Sequence, residues 1–332
     1  MLRLLVVMIM TCLVLPASQR DAMVEIGTMT PFEQELLAEV RKVEDRLFRS
    51  RGLQVEQRFE ELGRMERTLE RLADKTRGTR FENQAVYWLA DWVMTYQGDL
   101  DRVQGLLEQL ATLPSPAFKG AGRALMVRVL LGQGRIPQAE ELAGKLVDEI
   151  PEFNPILRLV QFSQRVGQPA PRVPGRNLTG GGDDPIATRS EPWLLYAFTD
   201  LGDPEHRFGL AKVFKELERE EYRGRIALVV IAFDGDPLAV MEQSAKIAIP
   251  ELAMEVLWAN PNEGGDAAAW RMGWQLPELP VIALLGPDRT IMAINPTAVR
   301  LRPLAGLDPE DGSATSHGSL WRGRGGGKGG RR

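Results

Sequence analysis

The first third of the chain places apolar residues among charged ones with the period of an α-helix. A first apolar stripe consists of Leu36, Val40, Val43 and Leu47. A second stripe follows Gly52 and consists of Val55, Phe59, Leu62, Met65, Leu69 and Leu72. Residues three or four positions apart lie on one face of a helix, so each stripe predicts an amphipathic helix with a charged outer face. The region is predicted to form a helical hairpin, because neither stripe is long enough for a coiled coil.

Helical periodicity continues to Gly167, with glycines that mark turns at nearly regular spacing. Gly98, Gly134 and Gly167 lie 36 and 33 residues apart, which predicts stacked pairs of helices over residues 31–167. Ala124–Pro155 resembles a tetratricopeptide repeat, because small residues recur where two helices approach and prolines follow the second helix. Three aromatic residues are expected in the core of the stack, with a peptide groove as the alternative: Tyr87, Trp88 and Trp92.

Residues 168–192 are rich in proline and glycine, a composition that favours neither helix nor strand. We predict a flexible linker here, between the helical part and a second domain. Asn177 begins the triplet Asn-Leu-Thr, which matches a glycosylation sequon, and chance explains so short a motif equally well.

The second half of the chain changes to the pattern of an α/β domain. Continuous apolar runs are typical of buried parallel strands, and two such runs occur at Trp193–Thr199 and Ile226–Phe233. A helical pattern lies between them at Phe208–Tyr222, so the three segments predict a βαβ unit. Further helices and a terminal hairpin are predicted at Pro237–Lys246, Asp266–Met272, Val281–Leu285 and Thr290–Ile294. The predicted fold class is a helical region followed by a compact α/β domain at residues 193–300.

Cysteine content narrows the chemistry. The only cysteine among 332 residues is Cys12, inside an amino-terminal apolar run, so disulfides and thiol nucleophiles are excluded from the rest of the chain. Arg3 followed by the apolar Leu4–Leu15 has the order of a secretory signal peptide. Residues 1–20 are predicted to be a signal peptide or an uncleaved anchor, with a buried first helix as the alternative. We therefore expect an exported protein of the periplasm or cell envelope.

Charge excludes another class of partner. With 41 basic and 45 acidic residues, the formal net charge is −4, so no overall positive field attracts nucleic acid. Residues 303–332 form a tail rich in glycine and arginine that is predicted to be disordered. Membrane contact is expected only through an uncleaved amino-terminal segment, and no cofactor is expected.

Three segments of the second half resemble the thioredoxin-like fold, in particular the thiol-disulfide oxidoreductases of the bacterial envelope. Leu194–Phe198 is similar to the strand that leads to their active site, and Ile226–Asp234 is similar to the next strand. Trp274–Leu285 is similar to the segment that carries the family's cis-proline, which falls at Pro280. The resemblance implies that the Leu279–Pro280 peptide bond is cis.

The same resemblance implies that the redox site is lost. The family's two redox cysteines fall at Asp203 and His206. Thiol-disulfide exchange needs a thiolate and a second thiol that resolves the mixed disulfide, and neither is present. Arg289 is a second departure, because the family usually has glycine at this hairpin turn. The resemblance covers residues 186–296, about one third of the chain.

An acidic cluster is expected where the redox site would lie. It gathers residues that follow two parallel strands: Asp200, Asp203, Glu205, His206, Asp234 and Asp236. Open α/β sheets bind ligands at the carboxyl ends of their strands, and carboxylates suit a hard cation. The structural alternative is that Asp203, directly before Pro204, caps a helix.

Two functions of different classes follow from these observations. The first is an exported, non-catalytic interaction or scaffold protein with a protein or peptide partner. Backbone pairing beside a cis-proline loop needs no cysteine, so the candidate peptide-contact positions are Asp203, His206, Leu279 and Pro280. The second is a cation-dependent enzyme or cation-binding protein that uses the acidic cluster. A purely structural envelope component is a third possibility.

Overall fold

The computed structural model of the chain describes residues 29–50, 53, 55–113, 118–172, 175–180, 184–259, 266–277 and 279–307. The predicted signal peptide or anchor at residues 1–20 and residues 308–332 of the predicted tail lie outside the described residues. In the part of the chain that the structure describes, no helix is both long and apolar enough to cross a membrane.

The helical region begins with three helices rather than the predicted hairpin. They are α1 (Pro31–Ser50), α2 (Val55–Gly63) and α3 (Glu66–Lys75). The second apolar stripe is interrupted because the carbonyl oxygen of Leu62 accepts hydrogen bonds from Met65 N at 3.0 Å and from the Trp92 indole at 2.7 Å. These bonds lie where α2 ends at Gly63, and α3 begins three residues later at Glu66. Leu36 of the first stripe and Leu69 of the second are buried, so both stripes contribute described side chains to the core.

Five further helices stack as successive neighbours. They are α4 (Glu82–Tyr96), α5 (Leu100–Thr112), α6 (Lys119–Gly132), α7 (Ile136–Glu149) and α8 (Asn154–Ser163). The glycine-marked turns are confirmed, because Gly98, Gly134 and Gly167 have φ values of 67°, 76° and 87°, a region that only glycine enters at no steric cost. The assignment of these pairs as tetratricopeptide repeats stays a prediction.

The α/β domain contains a mixed six-stranded sheet in the order β1-β4-β3-β2-β5-β6. Its strands are β1 (Arg176–Asn177), β2 (Trp193–Thr199), β3 (Ile226–Ala232), β4 (Ala253–Trp258), β5 (Val281–Leu285) and β6 (Ile291–Ile294). Its helices are α9 (Pro185–Thr188), α10 (Pro204–Leu217), α11 (Pro237–Lys246), α12 (Asp266–Trp274) and α13 (Ala298–Leu304). The three central strands run parallel, and β5 and β6 are antiparallel. The predicted fold class is confirmed.

The sequence pattern missed β4, which is the third parallel strand. Glu255 lies in the middle of this strand and interrupts its apolar run, yet its residue is only 5% exposed. The carboxylate is tolerated there because the guanidinium of Arg189 lies 2.7 Å away and Asn177 donates a hydrogen bond at 3.3 Å. The sequence pattern therefore does not reveal this buried strand, because the partners that allow its charged residue to be buried are distant in sequence.

The expectation that residues 168–192 hold neither helix nor strand is wrong. Ala170 N donates to the carbonyl oxygen of Arg289 at 2.9 Å, beside β6 at one edge of the sheet. At the other edge, β1 pairs with β4 in antiparallel register. Outer strands offer unpaired backbone groups, and an edge is the place where a chain interrupted by proline can still pair. The described parts of the predicted linker thus belong to the α/β domain.

Packing also extends past the predicted end of the domain at residue 300. Helix α13 follows the last strand, and Leu301 is fully buried. Leu307 is 7% exposed and packs in the same core as α10. Residues 303–307 of the predicted tail are therefore part of the folded domain, because Leu307 packs in an apolar core.

The two halves of the molecule pack against each other. Phe208 on α10 is buried in the core of the helical region, and Phe162 on α8 is buried against the sheet. The guanidinium of Arg165 donates to the carbonyl oxygen of Gly273 at 2.9 Å. These reciprocal contacts position the helical region beside the end of the sheet where β2 leads into α10.

Candidate functional site

The turn between β2 and α10 holds Asp203 and His206, the two positions at which the sequence resemblance places the redox cysteines. Asp203 is the N-cap of α10, and its carboxylate accepts a hydrogen bond from Glu205 N at 2.8 Å. Pro204 occupies the first helical position, where its missing N–H costs nothing. The predicted capping role of Asp203 is confirmed.

A second carboxylate ties this turn to the neighbouring strand. Asp234, two residues after the end of β3, accepts from Leu201 N at 2.8 Å and from Gly202 N at 2.9 Å, one bond to each of its oxygens. Asp200 also accepts from Gly202 N at 3.0 Å. A Cβ atom at Gly202 would lie 3.2 Å from one oxygen of each carboxylate, so a side chain there would displace these carboxylates by a few tenths of an ångström. The carboxylates of the cluster therefore act as acceptors for backbone N–H groups.

His206 is buried within the same turn. Its Nδ1 accepts a hydrogen bond from Asp200 N at 3.1 Å, which requires that this nitrogen carry no proton. The other ring nitrogen, Nε2, is 3.7 Å from a carboxylate oxygen of Asp203. The residue is 9% exposed, so the imidazole holds the loop in place from inside and offers little surface to a ligand.

Residues of the helical region and of α10 enclose one side of the turn. Arg58 on α2 is 2.7 Å from the carboxylate of Glu205, and its guanidinium carbon lies 3.9 Å from the centre of the Phe208 ring. Arg207 donates a hydrogen bond to the carbonyl oxygen of Leu201. The indole of Trp258 donates to the carbonyl oxygen of Asp234 at 2.7 Å. Sequence analysis missed Arg58 and Trp258, since no local motif marks either.

The proline loop lies at the same end of the sheet. The Leu279–Pro280 peptide bond is cis, which confirms the expectation. Antiparallel pairing joins Phe198 on β2 to Val281 on β5, so the loop continues toward the end of β2 from which the Asp203 turn departs. Both residues of the loop are buried, with Leu279 8% exposed. No hydrogen bond or ion pair within the described ranges joins this loop directly to Asp203 or His206.

The alternative function indicated by the sequence is a cation site formed by the residues of the acidic cluster. Among the described residues, no group of three or more His, Cys, Asp or Glu side chains is arranged to hold a metal ion. Asp236, the last member of the predicted cluster, accepts from Leu238 N at 3.0 Å as the N-cap of α11. The geometry shows carboxylates that cap helices and connect loops.

Comparison with known proteins gives no family assignment. No protein-family model matches the chain, and no curated protein matches it. Similar solved structures include the thioredoxin domain of a thiol-disulfide oxidoreductase from Bacteroides vulgatus, at 14% identity and a TM-score of 0.36. That match covers 43% of this chain and 98% of the other.

Two other solved structures are similar over different lengths. A thiol-disulfide oxidoreductase from Bacteroides fragilis is 20% identical with a TM-score of 0.31, over 39% of this chain and 90% of the other. A thioredoxin-like protein from Bacteroides caccae is 13% identical with a TM-score of 0.34, over 81% of this chain and 83% of the other.

Proposed function

We propose that this chain is an exported, non-catalytic interaction protein whose thioredoxin-like domain carries no redox activity. The observation that carries the proposal is the content of the turn before α10. Asp203 and His206 stand at the positions of the two redox cysteines, and both are committed to hydrogen bonds or close contacts within the turn. The chain has no cysteine other than Cys12.

The side chains of Asp203 and His206 cannot perform the reactions of a thiol. Disulfide exchange proceeds by attack of a thiolate on a sulfur atom, followed by resolution through a second thiol. A carboxylate that caps a helix and a buried imidazole supply neither group. The same reasoning applies to a peroxidatic mechanism, which also begins with a thiolate. Binding is the activity that we propose for this end of the sheet.

The partner that we propose is a protein or peptide with an extended segment. The proposed contact positions are the turn of Asp203 and His206 and the cis loop of Leu279 and Pro280. Only Asp203, with a side chain that is 25% exposed, is proposed as a side-chain contact; the buried His206, Leu279 and Pro280 are proposed to shape the backbone that the partner pairs with. The helical region is proposed to contribute a second surface. Two weak sites on one chain raise the effective concentration of a bound partner at each of them. Export by residues 1–20 is part of this proposal.

A site-specific photocrosslinking experiment tests the proposed contact. A photoreactive amino acid replaces Asp203, whose side chain is 25% exposed, in the full chain. The matched control carries it in place of Glu140, an exposed residue on α7. After incubation with an envelope extract of the native cells, we expect a discrete cross-linked partner at position 203 and none at position 140. Equal labelling at both positions, or no discrete partner at 203, would contradict the proposed contact surface.

A further inference from the structure

An open groove follows the outer side of α1, away from the site described above. Its volume is about 680 Å³, which lies within the range of ligand-binding clefts. Its lining extends from Gln34 to Arg49 along α1 and includes Leu53 and Glu61 beyond it. Fifteen helical positions correspond to about 22 Å, so the groove is long enough for several side chains of a bound segment.

This face of α1 is separate from the face that packs in the core. Leu36 and Val40 are buried, whereas Arg41 and Lys42 are exposed. The groove has an apolar part as well, formed by Leu37, Ala38 and Leu53. Leu53 is 38% exposed, which is high for a leucine. The outer side of α1 therefore combines apolar surface with charge.

The charges that line the groove do not cancel. Four cationic and two anionic described residues line it. Both anions already have partners within the groove, because Arg46 forms an ion pair with Glu61 and Arg49 lies 3.9 Å from Asp45.

Two cationic side chains remain after this internal pairing. Within the part of the chain that the structure describes, Arg41 and Lys42 form no ion pair. They are consecutive residues of α1, so their side chains leave the helix about 100° apart, and both line the groove. The groove thus presents an unneutralised positive centre next to apolar surface.

We propose that this groove binds an acidic amphipathic segment of a partner protein. Apolar side chains of that segment pack on Leu37, Ala38 and Leu53, and its carboxylates pair with Arg41 and Lys42. The length of the groove suits a peptide better than a small anion, which needs only one cationic centre. This inference rests on the proposed interaction function and assigns the chemistry of its second surface.

The test uses the full chain and a synthetic peptide about 15 residues long, rich in leucine and glutamate at helical spacing. Binding is measured by fluorescence anisotropy of the labelled peptide at low and at moderate salt. The Arg41→Glu/Lys42→Glu variant reverses the two free charges. A matched control, Arg67→Glu/Arg71→Glu, reverses two exposed charges on α3 that also form no ion pair among the described residues. Circular dichroism confirms that all proteins are equally folded.

We expect the wild type and the control to bind the peptide, and the Arg41→Glu/Lys42→Glu variant to bind about tenfold more weakly. A version of the peptide with lysine in place of glutamate should not bind. Equal binding by both variants, no binding by the wild type, or equal binding of the lysine peptide would overturn the inference. Binding to phosphatidylglycerol vesicles without binding to the peptide would also overturn it, in favour of a lipid surface. Photocrosslinking at position 203 is independent of these residues, so the two proposals fail separately.

Discussion

Arg58 and Glu205 form an ion pair of 2.7 Å across 147 residues of sequence. Glu205 lies in the first turn of α10, between Asp203 and His206. The Arg58 side chain is 7% exposed, and its guanidinium also lies over the ring of Phe208. Through this contact, α2 of the helical region is attached to the turn that precedes α10. The turn is therefore part of the interface between the helical region and the α/β domain.

Replacement of Arg58 by alanine should destabilise the protein. The change removes the packing on Phe208 and leaves the carboxylate of Glu205 without its partner, so we expect a loss of about 1–3 kcal/mol in the free energy of unfolding. Urea denaturation followed by circular dichroism measures it. Arg64→Ala is the matched control, because Arg64 follows the same helix and pairs with Glu60 where both side chains are about 70% exposed. Its cost should stay below about 0.5 kcal/mol, and equal costs would contradict the importance of the buried contact.

Asp234 is expected to be the strongest single support of the turn. It accepts two backbone N–H groups; Asp234→Ala leaves Leu201 N without an acceptor and leaves Gly202 N with Asp200 alone, for an expected loss of about 2 kcal/mol. Asp234→Asn keeps one acceptor oxygen and should cost about half as much. Asp236→Ala serves as the comparison, since Asp236 caps α11 through one N–H and should cost about 1 kcal/mol. Chemical denaturation that ranks Asp236 above Asp234 would contradict this account.

Much of the fold follows from local patterns, and the exceptions have specific physical causes. Continuous apolar runs predicted β2, β3 and β5 because buried strands need apolar side chains on both faces. Strand β4 was missed because Glu255 interrupts its apolar run, and its partner Arg189, which allows the carboxylate to be buried, lies far away in sequence. The break between α2 and α3 was missed because the Trp92 indole binds the Leu62 carbonyl oxygen from another helix.

In the candidate site, too, features set by neighbouring residues could be predicted from the sequence, and contacts between distant residues could not. The cap at Asp203 was predictable from Asp-Pro at a helix start, and the cis bond at Pro280 from the resemblance. The contact of Arg58 with the turn was not predictable, because Arg58 is one of many charged residues in its region. Which of these charges is buried depends on how the helical region packs against α10.

Arg289 compensates for its own unfavourable backbone conformation. Its φ is 63°, in the left-handed region that favours glycine, and its guanidinium donates to the carbonyl oxygens of Arg189, Glu191 and Pro192 at 2.6, 2.9 and 3.2 Å. Arg289→Ala loses these bonds and keeps the strained φ, so we expect a loss of about 2 kcal/mol. Arg289→Gly loses the bonds and relieves the φ, so it should be about 1 kcal/mol more stable than the alanine variant. Thermal unfolding compares the two, and a more stable alanine variant would contradict the role of the backbone conformation.

Glu255 gives a pH dependence with a defined sign. Burial raises the pKa of its carboxyl group; Arg189 opposes this rise and Glu191 adds to it. Because the pKa is higher in the folded than in the unfolded protein, the folded state binds more protons in the interval between the two values. The contribution of Glu255 to stability is therefore greatest at low pH and is lost as the pH rises through the folded-state pKa.

Glu255→Gln should remove this dependence. The difference in unfolding free energy, wild type minus variant, should fall as the pH increases from 4 toward 7. Glu242→Gln provides the control, because its side chain is 73% exposed and its pairing partner is Lys246 on the same helix. Stability measured by urea denaturation at several pH values separates the cases. A difference for Glu255→Gln that rises with pH would contradict the assignment.

The central claim is that the thioredoxin-like domain proposed for this chain carries out no thiol chemistry, and insulin reduction tests it most directly. The full chain and its Cys12→Ser variant are each incubated with insulin and dithiothreitol, and the turbidity of the reduced insulin chain is followed. Without a cysteine at positions 203 and 206, we predict that both proteins remain at the uncatalysed rate. Insulin reduction above that rate by the Cys12→Ser variant would contradict the account.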